Sequence, residues 1–75
     1  MNEKTFGNFV MLSKTELKIS DKQLSIDSGV SRSSLWNMVN NLKDANMNTA
    51  ERIMRAMNLD WRDYSNYLEG ENGSI

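Results

Sequence analysis

The sequence contains no cysteine, no histidine and no proline, and only four glycines in 75 residues. Without cysteine there is no disulfide, thiol nucleophile or thiolate ligand; without histidine there is no imidazole base, so the usual catalytic triads and zinc sites are excluded. Paired carboxylates such as Asp60 and Asp63 stand where a helix should begin and read as caps, not as an acid and a base. An enzyme is therefore not expected, and nothing asks for a cofactor or metal. There is no long apolar run, and Met1-Asn2-Glu3-Lys4 shows no basic leader ahead of an apolar stretch. The expectation is a cytoplasmic protein without membrane contact.

What is present is the composition of an ordinary folded protein, 39% hydrophobic and 25% charged, in a length that supports one small core. The net charge of −1 is not the basic footprint of a nucleic-acid binder. Its distribution is polarised, however. Residues 1–43 hold six basic and four acidic side chains, and the remainder holds three basic and six acidic ones.

The pattern predicts five helices and no strand, because apolar residues recur at helical spacing and almost nowhere alternate. A first helix over residues 4–17 carries Phe6, Phe9, Val10, Ser13 and Leu17 as one stripe, with Gly7 weakening its first turns. Ser20 and Gln23 form a capping box for a second helix of eight residues, closed by Gly29 in the left-handed region. Ser31 caps a third helix over residues 32–40, with Leu35 and Met38 pointing inward. Residues 41–46 are an Asn-rich loop. Asn48 caps a fourth helix whose buried side is Ala50, Ile53, Met54 and Met57 and which stops at Asn58. Asp60 caps a fifth, with Trp61, Tyr64 and Leu68 on one side and Gly70 closing it. Residues 1–70 are thus expected to form the domain, and residues 71–75 a frayed tail. The six methionines read as adaptable core filler, and only secondarily as a repacking surface.

Two short helices about a Gly-containing turn, over residues 20–40, have the geometry of a helix-turn-helix, whose second helix can enter a major groove. Leu24, Val30, Leu35 and Met38 fall where those helices must pack on each other, and the small Ser25 falls where they approach closely. The run from Ser20 to Leu35 resembles the Cro and phage-repressor (lambda-repressor-like) helix-turn-helix family. So does Thr49-Ala50-Glu51-Arg52-Ile53-Met54-Arg55-Ala56-Met57-Asn58-Leu59, set against that family's fourth helix of Thr-Leu, two residues, Ile-Ala, one residue and Ala-Leu-Gly-Val. The resemblance spans about residues 10–68 and implies an all-α, five-helix lambda-repressor-like domain that binds double-stranded operator DNA as a transcription regulator in a bacterial cell. In two places the chain departs from the family. Asp21 stands where a Gln commonly meets DNA, and Trp36 stands on the DNA-facing side where a small polar residue is usual. The short length is similar to that of small switch proteins of temperate phages, both Cro-like repressors and modulators, or antirepressors, that grip a repressor protein.

Arg32, Ser33, Ser34 and Asn37 are the candidates for base contact, since Arg pairs with guanine and Asn with adenine through two hydrogen bonds; the plain alternative is a solvated polar face. Lys14, Lys18, Lys22, Asn40 and Lys43 are candidates for phosphate contact, or are merely solubilising. Trp36, Trp61, Tyr64 and Leu68 are candidates for contact with a protein partner. Trp36 qualifies because its neighbours already fill the inward direction, and the last helix because the resemblance implies dimerisation there; core packing is the alternative for the aromatics of that last helix, Tyr67 among them. Two functions follow: a DNA-binding regulator, which the motif favours, and a protein-binding modulator, which the charge favours.

Overall fold

The computed structural model describes residues 4–73, with side chains described through residue 70. Five helices follow one another: α1 (Phe6–Leu17), α2 (Asp21–Ser28), α3 (Arg32–Val39), α4 (Met47–Ala56) and α5 (Trp61–Gly73). No strand occurs among the described residues.

Each of the first four helices starts where one short side chain takes an open amide of the first turn. Thr5 Oγ1 accepts from the Asn8 amide at 3.1 Å, Ser20 Oγ from Gln23 at 3.0 Å, Ser31 Oγ from Ser34 at 3.2 Å and Asn46 Oδ1 from Thr49 at 2.8 Å. α5 starts with a reciprocal pair. Asp60 Oδ1 accepts from the Arg62 and Asp63 amides, and Asp63 Oδ2 accepts from the Asp60 amide. The Asp63 amide, helped by the Arg62 amide and guanidinium, holds the Asp60 carboxyl below its ordinary value.

Two cap expectations are corrected. The Gln23 side chain does not return to Ser20; its amide donates to Asp27 Oδ1 one turn ahead at 2.8 Å, where a carboxylate is the stronger acceptor. α4 is capped by Asn46, not Asn48, because a second Asn two residues upstream reaches the Thr49 amide and gains the helix an extra half turn.

Three helices stop by a common device. Lys18, Asn41 and Asn58 all take the left-handed conformation, with φ of 60°, 61° and 61°. Each time, the next amide reaches back five residues and the left-handed residue's own amide reaches back three. The bonds are Ile19 to Lys14 and Lys18 to Thr15, Leu42 to Asn37 and Asn41 to Met38, and Leu59 to Met54 and Asn58 to Arg55. α2 instead has a glycine as its C-cap, Gly29, at φ 74°. α3 ends at Val39, with Asn40 as its cap, one residue earlier than expected. Gly70 does not close α5. The helix runs on through Gly73, past the expected start of the tail, and residues 74–75 of that tail lie outside the described residues.

The core is built from α1 to α4 and the turn between α2 and α3. Val10, Leu24, Ile53 and Met54 are its largest fully buried side chains, joined by Phe9, Val30, Leu35, Met38 and Met57. Met38, Met54 and Met57 are thus filler, whereas Met11 and Met47 are exposed and Met1 lies outside the described residues. α5 lies against α1. Tyr64 packs its ring 5.3 Å from Phe6 and 5.2 Å from Phe9, and Tyr67 sits 5.3 Å from Phe9. The expected stripe of Trp61, Tyr64 and Leu68 is therefore rotated: Tyr64 and Tyr67 face the core, while Leu68 is exposed.

Gly7 is more than a weak spot in a helix. It is buried, and a Cβ placed on it would collide with the carbonyl oxygen of Met38 and lie 2.9 Å from Asn41 Oδ1. Here the backbone of α1 meets the end of α3 with nothing between them. Asn41 closes the contact: its Oδ1 accepts from Thr5 Oγ1 at 2.8 Å and its Nδ2 donates to Asn8 Oδ1 at 3.3 Å. Alanine favours a helix over glycine by about 1 kcal/mol, but overpacking a closed contact costs about 1–3 kcal/mol. Gly7→Ala should therefore lower stability on thermal or urea unfolding, and a raised midpoint would mean that the two backbones do not meet there.

Candidate nucleic-acid interface

The candidate interface is set by how α3 is held. Leu24 from α2, Val30 from the turn, and Leu35 and Met38 from α3 are all buried, so α3 cannot roll about its axis without exposing one of them. The turn itself is clamped from α2. Ser25 Oγ donates to the Val30 carbonyl at 2.6 Å, and the Val30 amide donates to Ser28 Oγ at 3.2 Å. Ser25 is thus a hydrogen-bonding residue as well as a small one.

With Leu35 and Met38 inward, the 3.6-residue period turns Ser33, Trp36, Asn37 and Asn40 to the opposite side, with Arg32 one turn before Trp36. Of the expected base-contact residues, Arg32 and Ser33 are exposed on this side and Asn37 is half-buried. Ser34 is exposed too, but its hydroxyl accepts from Ser31 Oγ at 2.9 Å and belongs to the cap. Asn40 donates its amide back to the Trp36 carbonyl at 2.8 Å. Trp36 is 56% exposed, and among the described residues its indole has no ring or hydrogen-bond partner.

The expected phosphate-contact lysines fall in two places. Lys14, Lys18 and Lys22 surround the junction of α1 and α2, where Lys14 Nζ lies 3.0 Å from Asp21 Oδ1. Asp21 is thereby ion-paired with a lysine whose side chain is only 19% exposed, so this carboxylate is not a bare charge. Lys43 is on the other flank, in the loop after α3. It lines an open cleft of about 340 Å³ with Ser31, Ser34, Asp44, Asn46 and Arg52.

No family model, curated protein or solved structure matches this chain. Its function must be read from its own side chains. Arg52 is the residue the sequence reading passed over: on α4, its guanidinium nitrogen lies 3.4 Å from where a Cβ on Gly29 would stand. It therefore flanks the turn and faces the same cleft as Lys43. The available signal was its place three residues after Thr49, on the flank of α4 beside Ile53 rather than on its buried face.

The residues expected to meet a protein partner are split between two helices, with Trp61 and Tyr64 in ring contact on α5 and Trp36 apart from them. Trp36 is on α3, whereas Trp61 and Leu68 are exposed on α5 and Tyr64 is half-buried against Phe6 and Phe9. Trp61 Nε1 donates to Glu51 Oε2 at 3.2 Å, which ties that indole to α4. Asp60 and Asp63 are engaged with backbone amides, as expected of caps. No group of potential metal ligands clusters among the described residues, and no helix there is long and apolar enough to cross a membrane.

The turn supplies a direct test of how α3 is held. A left-handed residue with a branched Cβ costs about 1–2 kcal/mol, whereas Asn tolerates that region. Gly29→Val should lower the thermal midpoint and Gly29→Asn should nearly preserve it; equal midpoints for the two variants would place the turn elsewhere.

Proposed function

We propose that this chain is a small transcription regulator that binds double-stranded DNA by placing α3 in the major groove, as the lambda-repressor-like helix-turn-helix resemblance implies for its five helices. The observation that carries the reading is the outward side of α3. A helix with an open first turn is held fixed by its buried residues and presents Arg32, Ser33 and Asn37 to solvent. Between Ser28 and Lys43 the chain has two cations and no carboxylate. Arg32 is suited to a guanine edge and Asn37 to an adenine edge. Lys18 and Lys22 by the junction of α1 and α2, with Lys43 and Arg52 at the cleft beside the turn, would meet the flanking phosphates in this reading.

The net charge of −1 limits non-specific attraction, so affinity in this reading depends on a few local cations and falls with salt only as steeply as the small number of phosphates they neutralise. Asp21 draws on one of them, Lys14.

A second reading, a modulator that grips a repressor protein through the same helix, is favoured by the exposure of Trp36, since aromatic anchors dominate protein interfaces.

A salt series of binding to a selected duplex and to random DNA tests the first reading. Arg32→Ala should lose about 1–3 kcal/mol on the selected site and little on random DNA, while Lys43→Ala should weaken both alike and lower the salt slope by about 1. Asp21→Asn should strengthen both, because it frees Lys14 and removes a carboxylate. Absence of duplex binding even at low salt, together with a change in Trp fluorescence on titration with a phage repressor, would replace the first reading with the second.

A further inference from the structure

We infer that Trp36 reads the 5-methyl group of a pyrimidine opposite the middle of α3, which in unmodified DNA is the thymine of an A·T pair. The inference rests on the DNA-binding reading and adds a chemical class of contact to it. Hydrogen-bonding capacity on this helix is thin beyond its first turn. The Ser34 hydroxyl is engaged in the cap, and the Asn40 amide has one N–H committed to the Trp36 carbonyl, which ties its orientation to α3 itself. Asn37 is half-buried. Polar readout rests on Arg32 and Ser33 at the start of the helix with Asn37 in part, and the most exposed group in the middle of the helix is an indole.

Trp36 is 56% exposed, with its backbone carbonyl held by Asn40 and its ring touching no aromatic neighbour among the described residues. It carries one donor, Nε1, and is otherwise apolar. The edges of the four base pairs in the major groove offer acceptors, donors and a single apolar group, the thymine methyl. Setting the apolar faces of an indole against polar edges or phosphates would strip water from them with a single Nε1–H to offer in return, whereas setting them against the methyl buries apolar surface on both sides. The two cations and absent carboxylates between Ser28 and Lys43 suit the polyanion that brings that methyl close.

The test starts from a random duplex pool selected on the wild-type protein. In the best-bound duplex, each thymine is replaced singly by deoxyuridine, which removes only the methyl. Wild type should lose about fourfold in affinity at one thymine per bound helix, the factor that burial of one methylene-sized group supplies. Trp36→Ala should bind more weakly and be indifferent to that replacement, and Trp36→Phe should retain part of the dependence. Matched helical content and thermal midpoints keep the comparison on folded protein. Placing 5-methylcytosine at the same step in place of a cytosine should restore affinity for wild type alone. Wild-type indifference to every deoxyuridine, or a penalty that persists in Trp36→Ala, would overturn the inference while leaving DNA binding standing. Failure of any duplex to be selected would overturn both.

Discussion

The contact between the backbones of α1 and α3 at Gly7 sets the geometry on which the rest depends. Because no side chain intervenes, the distance between these helices is fixed by the peptide groups themselves, and the Asn41 side chain locks it by joining Thr5 and Asn8. The end of α3 is therefore pinned to the start of α1, while its beginning is pinned to α2 by the serine clamp around Gly29 and Val30. A helix of only eight residues has little rigidity of its own in water. Held at both ends, it can present one side at a constant angle, which is what a recognition element requires.

Those parts governed by local chemistry were legible in the sequence. Ser20, Ser31 and Asp60 act as caps because a short oxygen-bearing side chain ahead of an apolar period has few other places to go, and Gly29 and Asn58 adopt the left-handed region that they tolerate best. The inward set of Leu24, Val30, Leu35 and Met38, with Ala50, Ile53, Met54 and Met57, followed from periodicity. Where two residues compete, the outcome depends on tertiary context. Asn46 and Asn48 are equally good caps by type, and Tyr67 displaces Leu68 from the core because the rings of Phe6 and Phe9 offer it an aromatic surface.

The roles of Lys18, Asn41 and Gly7 were hidden for another reason. Each is defined by a partner far along the chain or by a backbone conformation that its residue type does not demand. A lysine in the left-handed region is paid for by the two hydrogen bonds that close α1, together with the burial of Ile19 that follows them. At the candidate interface, the outward order of Arg32, Ser33, Trp36 and Asn37 could be read from spacing alone. That Asp21 is ion-paired with Lys14, that Ser34 and Asn40 have spent part of their bonding capacity, and that Arg52 borders the turn could not.

α5 stands apart from the other four helices in how it is retained. It rests on α1 through a ladder of rings, with Lys4 Nζ donating to the Tyr67 carbonyl at 3.0 Å and lying over that ring, and with Trp61 reaching Glu51. None of these groups belongs to the clamp that fixes α3. Elements held by few neighbours open in sub-global steps below the free energy of complete unfolding. The amides of α5 should accordingly exchange with solvent sooner than those of α3 and α4, and each opening would bare Phe6 and Phe9 as a transient aromatic surface while leaving α3 in place.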